Sequence, residues 1–169
     1  AAALACLHAD GRAESDAGRY AGPVRTVRAV VAPERGGEHV ASLFTKIIEN
    51  EIPGVFVYED ERCAAFLDVQ PMTEGHVLVV PREEIAHWVD LDDDLSAHLF
   101  AVAKRIARAQ NEAFECEKVG LMIQGYEVPH VHIHVWPTTS LADFDASRRA
   151  DFTDAAELEP AAEKIRKLL

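Results

Sequence analysis

The sequence has few cysteines, and their arrangement excludes two structural uses. Cys6, Cys63 and Cys116 are odd in number, far apart and in no Cys-x-x-Cys pair, so neither a disulfide framework nor a cysteine-based zinc cluster is expected. A reducing cytoplasm fits this usage. Hydrophobic residues make up 49% of the 169 residues. A chain of this size can bury about two thirds of its surface without the help of disulfides or metal ions.

Long apolar runs are also missing. No stretch reaches the roughly 18 residues that are needed to cross a bilayer. The apolar opening segment, residues 1–7, lacks the basic region that begins a signal peptide. The sequence therefore predicts no membrane association.

Basic residues are scarce, since 17 Lys and Arg stand against 29 Asp and Glu and leave a formal net charge of −12. Residues 1–41 contain five charged side chains of each sign, so the whole net charge belongs to residues 42–169. Nucleic-acid binding depends on clustered Lys and Arg that displace counterions, which disfavours nucleic acid as a partner. A small anionic ligand would have to be held by local hydrogen-bond donors.

The chain divides into three predicted segments. Residues 1–41 are rich in Ala, Gly and Arg and show neither a helical nor an alternating period, which predicts a flexible extension. Within it, residues 24–31 hold enough Val and Thr for a strand if another element receives them. Residues 42–140 are predicted to form the domain, and residues 141–169 a C-terminal acidic loop and helix.

The periodicity after residue 41 predicts an α+β domain. Apolar residues recur at spacings of three and four from Leu95 to Ala113, after a run of three capping aspartates. This indicates one long helix whose apolar stripe lies in the core or in a subunit interface. Without regular βαβ alternation, the elements favour a mainly antiparallel five-stranded sheet. Shorter signals predict helices at 43–50 and 160–169, the second opened by Pro160, and strands at 55–59, 63–68, 75–81, 119–124 and 130–136.

One run, Pro129–Pro137, has the sequence PHVHIHVWP. Because side chains on a strand alternate between faces, its three histidines share one face with the tryptophan, and the interleaved Val and Ile share the other. We expect one face to be core and the other to be a site. The three histidines are His130, His132 and His134.

Two chemistries compete for these histidines. His-x-His on a strand is a common zinc-ligand pair, but the first and third histidines lie about 13 Å apart along a strand, too far to converge easily on one ion. The alternative is nucleophilic catalysis by a neutral imidazole, whose ordinary pKa of about 6.5 leaves it largely deprotonated near neutrality.

The run resembles the signature of the histidine triad (HIT) family of nucleotide hydrolases and transferases, His-φ-His-φ-His-φ-φ with φ apolar. Residues 130–136 match it at every position, and the resemblance spans about residues 42–137. It implies a HIT-like fold that pairs into a homodimer through the long helix and an adjacent strand. The upstream blocks that carry it are Leu43–Ile48, Glu51–Pro53, Tyr58–Asp60, Ala65–Asp68, Pro71 and Gly75–Pro81.

The resemblance also implies catalytic roles. His132, the middle histidine, would attack the α-phosphate and form a nucleotidyl-histidine intermediate that water resolves. The backbone carbonyl of His130 would accept from the other ring nitrogen of His132. His134 would contact the phosphate or the departing group, and His76 would support the cluster from the neighbouring strand.

A nucleotide-binding set follows from the same resemblance. Asp68 matches the acid that holds the ribose hydroxyls, although it could simply cap a turn. Apolar residues match the walls of a base pocket and are equally plausible as ordinary core. These wall residues are Phe44, Ile47, Phe66 and Val69.

Two departures limit the comparison. Ser42 and Thr45 stand where zinc-binding relatives carry Cys-x-x-Cys, so we expect no metal and no cofactor. The loop before the signature is short: Gln124 and Gly125 are predicted to contact the nucleotide there, and Glu127 replaces a hydroxyl that meets phosphate. A carboxylate would repel phosphate, so either Glu127 turns outward or the leaving group is cationic.

The predicted function is hydrolysis of a purine nucleoside phosphoramidate or a related nucleotide at its α-phosphate. A dinucleoside polyphosphate hydrolase and a nucleotide-binding regulatory protein with vestigial turnover are the alternatives.

Overall fold

The computed structural model describes residues 41–169. The predicted N-terminal extension, with its candidate strand at 24–31, lies outside the described residues except for Ala41. The described elements are α1 (Leu43–Ile48), β1 (Phe56–Glu59), β2 (Cys63–Leu67), β3 (Val77–Pro81), α2 (Asp93–Ala113), β4 (Lys118–Met122), β5 (Ile133–Thr138) and α3 (Ala155–Arg166).

The five strands form one sheet in the order β1-β2-β3-β5-β4, with every neighbouring pair antiparallel. The predicted α+β class with a mainly antiparallel five-stranded sheet is confirmed. The last strand begins later than predicted, at Ile133. The first two histidines of the run therefore precede the strand, and between them the backbone N–H of Val131 donates to the carbonyl of Ile85 over 2.7 Å.

Helices α2 and α3 cover one face of the sheet and form the larger core. The apolar stripe of α2 is buried in this core, which resolves the choice between core and subunit interface. A homodimer that used α2 would need another face of that helix, and the predicted pairing stays a prediction. The buried stripe comprises Leu95, Leu99, Val102, Ile106 and Ala109.

The opposite face of the sheet is covered by α1. Phe44 and Ile48 of α1 pack there on Phe66, Leu78 and neighbouring side chains. Because both faces of β2 and β3 are covered, every residue of these two strands is buried, and their sequences are continuous apolar runs instead of alternating ones. The histidine side chains lie on this second face.

The prediction for the C-terminal segment was partly wrong. Helix α3 begins at Ala155, and Pro160 lies inside it, although proline was expected to open the helix. Pro160 is the sixth of the twelve residues of α3, so its missing N–H removes a hydrogen bond inside the helix. Burial of Leu158 and Ile165 in the core holds the turn in place. The preceding acidic segment contains two short 3-10 turns, Leu141–Phe144 and Ala146–Arg148.

Among residues 41–169, no helix combines the length and the apolar composition that crossing a membrane requires.

Candidate active site

A cavity opens on the α1 side of the sheet. His132 and His134 line it, together with Asp68 from the end of β2, Glu127 and Arg149. The predicted wall residues Phe44, Ile47, Phe66 and Val69 also line it.

The tautomer of His132 follows from its hydrogen bond. Its Nδ1 lies 2.7 Å from the carbonyl oxygen of His130, and because a carbonyl only accepts, Nδ1 carries the proton. The other ring nitrogen, Nε2, therefore has a free lone pair. Burial lowers the pKa of His132 below its ordinary value, which keeps the ring neutral. Phe44 packs edge-on against it, with ring centroids 4.8 Å apart.

His130 is fully buried and does not line the cavity. Its Nε2–H donates to the carbonyl of Pro81 over 2.9 Å, so Nδ1 accepts from the hydroxyl of Ser42 over 2.7 Å. That hydroxyl accepts in turn from the backbone N–H of Thr45 as the N-cap of α1, and the hydroxyl of Thr45 donates to Glu84. Hydrogen bonds thus join α1 to the histidine run.

The tautomer of His134, which lines the cavity, is set by His76. The backbone N–H of Met72 donates to Nδ1 of His76 over 3.1 Å, so His76 carries its proton on Nε2 and donates it to Nδ1 of His134 over 3.1 Å. His134 must then be protonated on Nε2, an atom that is buried without a partner in residues 41–169. Burial is the largest cause that lowers the pKa of His134 to about 4.

Asp68 is nearly buried beside these two histidines. One of its oxygens accepts from the backbone N–H of Gln70 over 2.9 Å, and the other lies 3.6 Å from Nδ1 of His76. Burial raises its pKa. Asp68, His76 and His134 are close enough to share a metal ion, but both nitrogens of His76 and Nδ1 of His134 are engaged in hydrogen bonds, so ligation would require these bonds to break.

A second group of potential metal ligands lies away from the cavity and comprises Asp60, Cys63 and His98. The Asp60 carboxylate is already satisfied by His98 at 2.8 Å and by the backbone N–H groups of Arg62 and Cys63. Burial raises the pKa of the Cys63 thiol to about 12, and a thiol that keeps its proton is a poor metal ligand.

The apolar wall serves the cavity and the fold together. Phe44 and Phe66 belong to the smaller core, with ring centroids 5.8 Å apart, and their free edges line the cavity. Val69 is 40% exposed, as a wall residue at a cavity mouth would be. The two interpretations of these residues, pocket wall and core, are therefore compatible.

Glu127 has an exposed side chain that is paired with a cation. It lines the cavity, and its carboxylate accepts from the guanidinium of Arg149 over 3.1 and 3.3 Å. The positive charge of Arg149 offsets the repulsion that the carboxylate of Glu127 alone would exert on a phosphate. Sequence reasoning missed Arg149, although Arg148 and Arg149 are the only basic residues in the acidic segment 143–159, a signal that could have found it.

Gln124 and Gly125 do not line this cavity. They line a separate depression with His87, Trp88 and other residues. Their predicted contact with a nucleotide has no support from the lining of the cavity.

The arrangement can perform nucleophilic displacement at phosphorus. The rings of His132 and His134 lie 4.8 Å apart between centroids, and both residues line the cavity, so a ring with a free lone pair stands beside a ring with an unpartnered N–H. A nucleophile beside a fixed donor is the combination that group transfer to and from an anionic centre requires.

Three comparisons place the chain among known proteins. The model of the HIT domain matches residues 49–141. "Protein hit" of Bacillus subtilis is 37% identical over 108 residues, which cover 60% of this chain and 73% of that protein. Adenosine 5'-monophosphoramidase HNT1 of Candida albicans is 30% identical over 141 residues, 78% of this chain and 93% of that protein.

The fold has matches among solved structures. The crystal structure of a Hit-like protein involved in cell-cycle regulation from Bartonella henselae aligns with a TM-score of 0.66 at 32% identity, over 76% of this chain and 96% of that one. The predicted HIT-like fold is confirmed.

Proposed function

This chain belongs to the HIT family, whose domain matches residues 49–141, and on that premise we propose that it hydrolyses a nucleotide at the α-phosphate with His132 as the nucleophile. The observation that carries the proposal is the hydrogen bond from Nδ1 of His132 to the carbonyl of His130. It leaves the Nε2 lone pair free on a residue that lines the cavity beside His134, whose Nε2–H has no partner among the described residues.

The reaction proceeds in two displacements. In the first, Nε2 of His132 bonds to phosphorus, the bond from phosphorus to the leaving group breaks, and the leaving group takes a proton from water. In the second, water attacks phosphorus, the phosphorus–nitrogen bond breaks, and the proton is returned to solvent. His132 keeps its Nδ1 proton throughout, so the intermediate is a cationic imidazolium, which is a good leaving group.

In this proposal, His134 stabilises the negative charge of the phosphate by donating a hydrogen bond. His134 lines the cavity and its Nε2–H has no partner in the described part of the chain, so in this proposal a phosphate oxygen supplies the missing acceptor. A hydrogen bond to an anion is stronger in a site from which water is excluded. His76 holds this donor in place through its bond to Nδ1 of His134.

The substrate class that we propose is a purine nucleoside phosphoramidate. The Candida albicans relative is named an adenosine 5'-monophosphoramidase, and that name supports an amine as the leaving group here. The charge of Glu127 no longer requires a cationic leaving group, because Arg149 pairs with it.

The rest of the nucleotide is proposed to occupy the remainder of the cavity. Asp68 is its nearly buried acid, and we assign it to the ribose hydroxyls. The base is assigned to the apolar wall of Phe44, Ile47, Phe66 and Val69.

The test is turnover of adenosine 5'-phosphoramidate followed by an alkaline quench and mass spectrometry of the intact chain. We expect release of AMP and ammonia, and an adenylyl adduct on His132 during turnover. His132→Asn should remove the adduct and lower kcat at least about a thousandfold. His87→Asn is the matched control, because His87 is an exposed histidine outside the cavity.

Three results would decide against this proposal. Slow turnover that is equal in wild type and His132→Asn would favour a nucleotide-binding regulatory protein. Loss of activity on chelation would favour a metal enzyme. Turnover of a dinucleoside polyphosphate in preference to the phosphoramidate would replace the substrate class while keeping the nucleophile.

A further inference from the structure

Arg149 reaches the cavity from the C-terminal segment that follows the histidine run. The segment that carries it, residues 149–153, is called the strap here. Two backbone hydrogen bonds fasten it, from Ala150 N–H to the carbonyl of Pro71 over 3.0 Å and from Thr153 N–H to the carbonyl of Val69 over 2.8 Å. The strap therefore lies along the turn that follows Asp68.

The start of the strap is fixed as well. Arg149 follows the 3-10 turn Ala146–Arg148, which Asp145 caps through its side chain, and its backbone N–H donates to the carbonyl of Ala146. Backbone bonds on both sides thus place the Arg149 side chain at the cavity instead of in solvent.

Some N–H groups of the Arg149 guanidinium have no hydrogen-bond partner among the described residues. Its bonds to Glu127 use one N–H on each terminal nitrogen, and a guanidinium has five N–H groups. Three remain without a partner among the described residues, on a side chain that is 24% exposed. Arginine binds phosphate well because its planar fork can donate two parallel hydrogen bonds.

The other charged groups around the cavity favour a phosphate-binding role for this cation. Asp68 and Glu127 are acids, the histidines are held neutral by burial, and Arg149 is the only Lys or Arg among the described residues that line the cavity. The charge of Arg149 also reaches His134. It lowers the pKa of His134, although burial and the interaction with His132 are larger causes.

We propose that Arg149 binds the α-phosphate of the nucleotide through the N–H groups that its ion pair with Glu127 leaves free. The unpartnered Nε2–H of His134 and the guanidinium would then hold the same phosphate. This assignment rests on the proposed function, since it names a substrate-binding residue of the same site.

A simpler role has to be separated from this one: Arg149 could act only by cancelling the charge of Glu127. The test compares binding of AMP with binding of adenosine, which lacks the phosphate, by calorimetry. The variants are Arg149→Ala, Arg149→Lys, Glu127→Gln and the double Arg149→Ala/Glu127→Gln, with Arg148→Ala as the matched control. Arg148 is the exposed neighbour outside the cavity. All should fold, because a surface ion pair contributes little stability.

The expected result is selective. Arg149→Ala should weaken AMP binding about 10- to 100-fold, the size of a lost charged hydrogen bond, and change adenosine binding less than twofold. Arg149→Lys should recover part of the AMP affinity, and the double variant should remain weak. Glu127→Gln and Arg148→Ala should each bind AMP at least as well as wild type.

Several results would overturn the inference. They are full AMP affinity in the double variant, equal losses for AMP and adenosine in Arg149→Ala, and no loss in Arg149→Ala although wild type forms the His132 adduct. The last result leaves the proposed function standing. Failure of wild type both to bind AMP and to form the adduct removes the proposed function and this inference together.

Discussion

The Nδ1–H of His132 donates to the backbone carbonyl of His130 over 2.7 Å. The orientation of the proposed nucleophile therefore depends on the position of a residue outside the cavity. His130 is itself held between Ser42 and Pro81, so the first helix and the end of β3 both contribute to the orientation of the proposed nucleophile.

Replacing Ser42 should affect stability and catalysis together. Ser42→Ala removes the N-cap of α1 and the donor to His130, and should lower the free energy of unfolding by about 1–2 kcal/mol and kcat several-fold. Ser42→Thr keeps the hydroxyl and should recover both. Ser42 is a positioning residue, so KM should change less than kcat in steady-state assays.

A matched cap variant separates the two effects. The carboxylate of Asp92 caps α2 by accepting from the N–H of Leu95 over 2.7 Å, so Asp92→Ala should cost similar stability while kcat stays at the wild-type value. Equal losses of kcat in Asp92→Ala and Ser42→Ala would contradict a specific role for the bond between Ser42 and His130.

Turnover should persist at mildly acidic pH. Burial lowers the pKa of His132, and the neutral ring is the active form, so the acid limb of kcat/KM should lie below the ordinary value of about 6.5. Phe44→Ala admits water to the ring and should move that limb upward. A wild-type limb at or above pH 6.5 in the pH–rate profile would rule out a nucleophile held neutral by desolvation.

Folding stability should fall as the pH falls below neutrality. Burial lowers the pKa values of His76, His130, His132 and His134 in the folded protein. The unfolded chain therefore binds more protons below about pH 6.5. Stability that is complete above this value is then lost as the pH drops toward the folded-state pKa values, by up to about 1.4 kcal/mol per pH unit for each histidine that stays neutral.

Urea unfolding at pH 7.5 and 5.5 measures this loss. Burial raises the pKa of Asp68, which has the opposite sign and offsets part of this loss. His134→Gln should reduce the difference between the two pH values. Unfolding midpoints that do not change between them would show that the four histidines are not desolvated as the structure places them.

Gln110 should stabilise the sheet from the long helix. It is fully buried, and its Nε2 donates to the carbonyls of Gly75 and Val135 over 2.8 and 2.9 Å. Gln110→Leu removes both of these hydrogen bonds but also an unpartnered Oε1, so the net loss should be about 1–2 kcal/mol. Asn111→Ala, at the exposed neighbour, should change the urea midpoint little, and equal effects of the two variants would contradict the role of Gln110.

Local patterns predicted the elements well. The helical spacing from Leu95 to Ala113 matches α2 closely, since its bounds are Asp93–Ala113. A serine directly before an apolar helical stretch is a typical helix cap, and the side chain of Ser42 does accept from the backbone N–H of Thr45. Such signals work because they depend on neighbours within one turn or one strand.

Other features required contacts between distant residues. Helix α3 begins before Pro160 because Leu158 and Ile165 are buried by other elements, which local propensity does not contain. Gln124 and Gly125 are near the histidines in sequence but line a different depression, because the chain changes direction before β5 begins.

The sequence by itself determined the chemistry that is available: three histidines in register, a sheet with one long helix, and the family to which the chain belongs. Only the tertiary structure decided which of these groups meet. Ser42 reaches His130 across 88 residues, and Arg149 reaches Glu127 across 22. The physical reason is that tautomers, burial and ion pairs are set by what surrounds a side chain in space, and a chain's order reveals those surroundings only where neighbours in sequence are also neighbours in the fold.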